Sequence, residues 1–384
     1  MALTKTSIGR IGQPRLFLDL ISYAKAIGYI SSIENHNCTP STNSEASPFD
    51  LNFSRHENYI CNSDDVDHIG FKVKFKNYNN PNANFAHLLQ SINYCGLFGH
   101  NLLTSSLGQT FDQITLSSYG VDPNDSESNV FAYAQNYKDI VGGNQANSCG
   151  QGYTIFEFDG FDNSEINCFE ALKLHLYANN SNFNATQSVD MCGVSIGRYV
   201  DLPHDADLSS TTSFSYDGIK TKTTMSGKTV TNINYYRPSD WGKYSKWTHV
   251  SSDTIDDFID TQEGYMSLMD NRATGMTGRR SWQLSFSFIA EKEMYPLSNE
   301  GNMFAYNTES GQYITSDAIH LGQNAQDSIV GTILTLSLAN IPMILMPDNE
   351  KQSFAWVKLD QRNFSIRQVS PRLYNVKMKF TEIW

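Results

Sequence analysis

Leu373-Tyr374-Asn375-Val376-Lys377-Met378-Lys379-Phe380-Thr381-Glu382 places Tyr374, Val376, Met378, Phe380 and Glu382 on one side of an extended chain and Asn375, Lys377 and Lys379 on the other. Successive side chains of a strand point to opposite faces, so this period of two reads as a strand with one buried face. The same period runs through Ser281–Phe288, where Trp282, Leu284, Phe286 and Phe288 alternate with Ser281, Gln283, Ser285 and Ser287. Met343–Met346, Phe354–Leu359 and Phe364–Val369 add three more strand-like runs to the C-terminal region.

Working back toward the middle, Tyr153–Phe158, Leu172–Tyr177, Cys192–Val200, Thr211–Tyr216, Ile219–Thr224 and Lys228–Tyr236 are strand-like and are separated by Gly, Asn, Asp or Pro. Six short strands at near-even spacing predict a β-sandwich or jelly roll over 151–250. Asp217-Gly218 and Ser226-Gly227 are hairpin turns, because glycine accepts the positive φ that such turns require.

The N-terminal region is less regular. Arg15–Leu20 reads as a strand that leads into a short helix carrying Leu20, Tyr23, Ala24 and Ile27 and ending at Gly28. Residues 31–67 are polar and turn-rich and read as a long irregular loop. Phe71, Val73 and Phe75 alternate with Lys72, Lys74 and Lys76 in a strand with a basic outer face, and Phe85, Leu88, Leu89 and Ile92 repeat at helical spacing. Two further helices are predicted, one acidic over Asp253–Asp260 and one after an Asp327 N-cap that carries Ile329, Ile333, Leu334 and Leu336. The fold class is therefore mainly β with a few short helices, in three regions: 1–150, 151–250 and 251–384, the last completed in one arrangement by the N-terminal region. The C-terminal β-rich region is read as ring-forming.

Composition agrees with strands and extended interfaces: hydrophobic residues are 40%, aromatics 12% and charged residues only 18% of 384 residues. A net charge of -12 repels a phosphate backbone, so direct nucleic-acid binding is not expected. The longest dense apolar run, Ile341–Met346, is far below the ~20 residues of a membrane helix, and no membrane insertion is expected. Cys38, Cys61, Cys95, Cys149, Cys168 and Cys192 lack any CxxC pattern and read as reduced thiols of a protein made in a cytoplasm.

Motifs that carry chemistry are few. Gly193-Val194-Ser195-Ile196-Gly197 matches GxSxG, but the extended Arg198–Leu202 and Pro203 follow it where a nucleophile elbow needs a helix. It reads as a glycine-flanked strand, no catalytic residue is assigned, and a cell-envelope hydrolase is the weakest reading. Acidic groups at Asp64-Asp65-Val66-Asp67, Asp122–Asp125 and Asp159–Asp162 are oxygen-rich turns without EF-hand spacing, and His175 and His204 lie in no ligand pattern, so neither metal nor cofactor is assigned. Tyr235, Tyr236, Arg237, Trp241, Tyr244 and Trp247 concentrate aromatics and cations. Such a segment serves as a protein-interface anchor, stacks on sugar rings, or packs on its own domain. Arg279 and Arg280 open a strand, either as a solvated end or as ion-pair partners for a neighbouring subunit.

Gly278-Arg279-Arg280-Ser281-Trp282-Gln283-Leu284-Ser285-Phe286-Ser287-Phe288, taken with Phe364–Val369 and Leu373–Trp384, resembles tail proteins of marine tailed bacteriophages, and Tyr216–Thr224 and Asn232–Tyr235 fit the same group. The likeness touches about half of the chain, from residue 150 onward. It implies a structural virion protein of the distal-tail or baseplate-ring type, non-enzymatic and made in the bacterial host cytoplasm. A sheet domain of such a protein forms a ring at the tube end while a sandwich projects outward. On that likeness, residues from the start and from 251–384 build the ring domain, with 151–250 inserted. The implied partners are copies of itself, as a hexameric ring, and other tail proteins, with a host-surface glycan as the alternative partner. Distal tail, tube, adaptor and fibre anchor are all compatible with it.

Overall fold

The computed structural model describes residues 11–41, 47–51, 57–76, 92–100, 111–122, 125–138, 148–149, 152–157, 169–178, 187–215, 219–233, 279–295, 306–307, 312–313, 328–350, 354–361 and 363–383. In chain order the strands are β1 (Arg15–Asp19), β2 (Ile30–His36), β3 (Cys38–Pro40), β4 (Glu57–Cys61), β5 (His68–Phe75), β6 (Tyr94–His100), β7 (Phe111–Asp122) and β8 (Asp125–Lys138). They continue with β9 (Ser148–Cys149), β10 (Gly152–Glu157), β11 (Phe169–Ala178), β12 (Ser188–Met191), β13 (Gly193–Asp201), β14 (Thr211–Ser215), β15 (Ile219–Thr223) and β16 (Thr229–Ile233). The remainder are β17 (Arg279–Ala290), β18 (Tyr306–Asn307), β19 (Gln312–Tyr313), β20 (Met343–Met346), β21 (Ala355–Leu359), β22 (Ile366–Ser370) and β23 (Leu373–Glu382). Helices are short: α1 (Leu20–Ala26), α2 (Glu291–Met294) and α3 (Thr335–Ser337), the last preceded by a π-helical turn at Ile329–Leu334. The protein is mainly β, as its alternation predicts.

An eleven-stranded antiparallel sheet runs β14-β17-β23-β21-β20-β1-β13-β6-β10-β9, with β22 paired to β23. A five-stranded sheet, β2-β5-β11-β7-β8, and a three-stranded one, β12-β4-β3, accompany it. The large sheet and the two smaller ones share one core: Leu16, Leu97, Ile196, Leu345, Leu284 and Phe380 of the first join Phe71, Leu174 and Leu116 of the second and Tyr59 and Val189 of the third. Sheets packed face to face make this a sandwich. The opposite face of the large sheet carries a second aromatic core of Phe17, Tyr94, Phe98, Phe354 and Trp356.

The described strands of 151–250, apart from the separate pair β15–β16, are divided between these layers. β10, β13 and β14 lie in the large sheet, β11 in the five-stranded sheet and β12 in the three-stranded one. β1 sits between β13 and β20, with Phe17 opposite Tyr199 on one side and Ile344 on the other. Alternation states that a segment is a strand with one apolar face; it does not state which strand lies beside it.

Three local expectations are corrected. The segment 31–67 is no continuous loop: β2, β3 and β4 lie within it, with β4 buried at Glu57, Tyr59 and Cys61. The helix after 327 is capped by Ser328, whose hydroxyl accepts the Gly331 N–H at 3.0 Å, and its first turns are π-helical. Phe288 does not join the core face of β17. A register shift between Phe286 and Ile289 turns it outward at φ +61, and Ile289 takes the buried place. The predicted helices over 85–92 and 253–260 lie outside the described residues apart from Ile92, which is buried. β7 and β8 had no counterpart in the sequence reading.

Candidate assembly surface

Five of the nine large hydrophobic residues that are exposed among the described ones, Leu208, Phe214, Ile219, Met225 and Val230, fall within one stretch of 23 residues. That stretch begins at the end of the large sheet. β14 pairs on one side with β17 over five rungs, from Thr211 opposite Gln283 to Ser215 opposite Arg279, and ends the ordered path of strands. An end strand offers backbone donors and acceptors to another chain.

The foot of this edge is fixed. The Asp207 N–H donates to the Ser285 carbonyl at 2.8 Å, the Ser285 N–H to Ser210 Oγ at 3.0 Å, and Ser287 Oγ to Asp207 Oδ2 at 2.7 Å. Leu208 and Phe288, chain neighbours of that last pair, both face solvent, Phe288 at 66% exposure. A bulky residue at positive φ is an outlier, and a bulge that re-aims its ring outward is a device for presenting it. From Ser215 the chain passes to the hairpin β15–β16, in register from Ile219 opposite Ile233 to Thr223 opposite Thr229. The predicted Ser226-Gly227 turn closes it, with Gly227 at φ +81; Asp217-Gly218 lies outside the described residues.

The residues singled out from sequence divide three ways. Tyr235, Tyr236, Arg237, Trp241, Tyr244 and Trp247 lie outside the described residues. Arg279 is half-buried at the rung where β14 ends. Arg280 is not available to a neighbour: it is buried and forms a bidentate ion pair with Glu382 of the same chain, its Nε 2.9 Å from Glu382 Oε2, with its guanidinium 5.3 Å from the centre of the Trp282 ring. The reason is register. Arg280 shares the inward phase of Trp282 and Leu284, which no reading of the Arg-Arg pair alone reveals.

Ser195 is fully buried in mid-strand on β13, hydrogen-bonded to the Tyr94 hydroxyl at 2.8 Å. A nucleophile elbow displays its serine on a sharp turn; this one is sealed in a sheet. Asp19 lies beneath it, capping α1 through the Ser22 N–H at 3.0 Å and accepting the Ile196 N–H at 3.2 Å. Burial raises its carboxyl to about 6, against the lowering effect of those hydrogen bonds.

One cluster escaped the sequence reading. His36 of β2 and His175 of β11 both stand opposite Gly70 of β5, and His68 is two residues along β5 on the same face. The ring centres of His36 and His68 are 5.2 Å apart and nearly parallel, and those of His68 and His175 are 4.3 Å apart. Gly70 is required here, since a Cβ would lie 2.5 Å from His175 Cδ2. Asp67 Oδ1 is 2.6 Å from His68 Nδ1, and Tyr177 Oη is 3.4 Å from His175 Nδ1. Ring faces meet rather than ring nitrogens, and among the described residues no group of three His, Cys, Asp or Glu has the geometry to hold a metal ion. Alternation assigns each histidine to an outer face, but only strand neighbourhood brings them together.

This cluster predicts acid sensitivity. Burial first, then the neighbouring imidazoles and Lys173, hold His175 down to about 4, and the same causes lower His36; Asp67 acts in the opposite direction on both. The unfolded chain therefore binds more protons, so the stabilisation is whole above about 6.5 and is lost as pH falls toward about 4. For a half-buried ring screened by solvent this amounts to roughly 1–2 kcal/mol. Urea unfolding at intervals across that range checks it: the difference between wild type and His175→Gln shrinks as pH falls, and a constant difference sinks the prediction.

No helix among the described residues is long and apolar enough to cross a membrane. Cys38, Cys61 and Cys95 are buried free thiols, and Cys192 is buried. No family model matches the chain, and no curated protein matches it. Among solved structures, the CBM32-1 and CBM32-2 domains of Clostridium perfringens ZmpB align at 13% identity and a TM-score of 0.27, covering 48% of this chain and 42% of that one. The same two domains with the M60 catalytic domain give a TM-score of 0.26 and 13% identity over 48% of this chain and 17% of that one. The pair in complex with GalNAc gives 0.26 and 10% over 95% and 90%. The chain thus spans under half the length of the first two structures it aligns with, and likenesses at these scores carry no argument about what it binds.

Proposed function

We propose that this chain is a non-enzymatic structural protein of a tailed-phage virion, placed at the tail tip or baseplate, where copies of it associate into a closed ring. The observation that carries the reading is the end of the large sheet: β14 is the last strand of its path among the described residues, Phe214 on it and Leu208 just before it are exposed, and Ile219, Met225 and Val230 of the next hairpin in the chain are exposed as well. Natural sheets blunt such edges unless they are used. A head-to-tail contact repeated through a fixed rotation closes a ring, and six-fold closure follows from the likeness to distal-tail proteins. That likeness also supports the virion as its place and other tail proteins as its neighbours.

Size-exclusion chromatography with light scattering tests it. Purified protein is expected to show a concentration-dependent oligomer converging on six copies, and averaged images of the virion a ring at the tail tip. A monomer at every concentration overturns the reading. The rival, host-glycan binding through Trp241, Tyr244 and Trp247, predicts glycan-array binding that Trp241→Ala abolishes while assembly stays intact.

A further inference from the structure

We infer that the hairpin β15–β16 is a basic arm that docks on the acidic surface of a second copy of this chain. The inference rests on the self-association reading above and names the segment and the force that drive it.

The arm has a built tip and no core. Its turn is tied by the Thr224 N–H to the Lys228 carbonyl at 2.8 Å, the Gly227 N–H to the Thr224 carbonyl at 2.9 Å, and the Lys228 N–H to Thr224 Oγ1 at 3.1 Å. Yet every residue from 219 to 231 is exposed, on both faces of the hairpin. A two-stranded hairpin alone in water is marginal, because ordering its backbone costs more than its own hydrogen bonds return. A strand pair with a well-tied tip, and with Met225 and Val230 left in solvent, is a segment whose stabilising partner comes from elsewhere.

Charge states what that partner is. The fifteen residues 219–233 hold Lys220, Lys222 and Lys228 and no Asp or Glu, so they carry +3 in a chain of net -12, which leaves -15 on the rest. Every other copy therefore presents a surface of opposite sign to the arm, and steering of this kind selects partners as well as speeding their encounter. Register sorts the two faces. Lys220 and Lys222 project with Val230 on one, and Thr221 opposite Thr231 and Thr223 opposite Thr229 form a flat threonine surface on the other. Arm on one copy and acidic body on the next make a heterologous contact, the kind that repeats around a ring.

The test uses the full chain with all three lysines reversed (K220E, K222E and K228E) or neutralised (K220Q, K222Q and K228Q). Sedimentation velocity is run at about 50 mM and about 500 mM salt, where screening changes severalfold. Wild type is expected to dissociate more readily at high salt. Reversal is expected to weaken association at least ~10-fold and neutralisation by less, with circular dichroism and melting unchanged because the arm packs on no core. Reversed protein that assembles with wild-type affinity overturns the arm and leaves self-association standing. Wild-type protein that stays monomeric overturns both.

Discussion

Glu382→Ala is expected to cost about 3–5 kcal/mol of folding stability, the range for removing one member of a buried ion pair. Glu382 accepts the Arg280 backbone N–H at 2.9 Å as well as two guanidinium bonds, and both side chains are almost sealed, at 9% and 3% exposure. Truncation leaves the guanidinium inside with its charge uncompensated. The double variant Arg280→Met with Glu382→Leu removes both charges at similar volume and is expected to recover most of the loss, because desolvating the pair already offsets much of its attraction. Denaturant midpoints of the two variants decide the matter. A single variant within about 1 kcal/mol of wild type sinks the assignment.

Gly197→Ala is expected to cost about 3 kcal/mol or more, at the upper end of overpacking penalties. A Cβ at Gly197 would lie 2.0 Å from the Leu18 carbonyl oxygen and 2.9 Å from the Leu20 N–H nitrogen. Both are backbone atoms at the junction of β1 and α1, directly across the rung that pairs Asp19 with Gly197, and no rotamer change relieves them. Gly193 is the internal control: there the nearest atom is the Leu51 Cδ2 at 3.2 Å, the end of a movable side chain, and Gly193→Ala is expected to cost about 1 kcal/mol. Soluble yield and unfolding midpoint separate the two, and equal effects refute the account. The second glycine of GxSxG is thereby explained by how closely β1 approaches β13.

The strands carrying strict alternation were legible: β5, β11, β13, β17, β20, β21 and β23 sit where the sequence puts them, and so do α1 and the Ser226-Gly227 turn. Glu382 shows where legibility stops. Its phase with Val376, Met378 and Phe380 places a carboxylate on a buried face, which demands a cation. Nothing in the sequence names Arg280, 102 residues away, because pairing is a property of the assembled sheet. The three histidines were missed for the same reason, each being ordinary until β2, β5 and β11 lie side by side. The arm was visible as a hairpin, but its exposure on both faces was not, since alternation of Thr with Lys gives no apolar side to orient.

The position of β1 has a further consequence for how the protein is made. Its rungs join Leu16 to Val200 and to Leu345, partners 184 and 329 residues later in the chain. Contacts so distant in sequence close late, after a large loss of chain freedom. On the ribosome, one flank of β1 therefore waits open until the segment around 343–346 has emerged, an interval of tens of seconds at about 5–20 residues per second. Nascent chains held that long with a half-formed sheet are the stage at which aggregation competes, and slowing translation between the codons for residues 201 and 343 is expected to lower the soluble yield more than slowing it before the codons for β1.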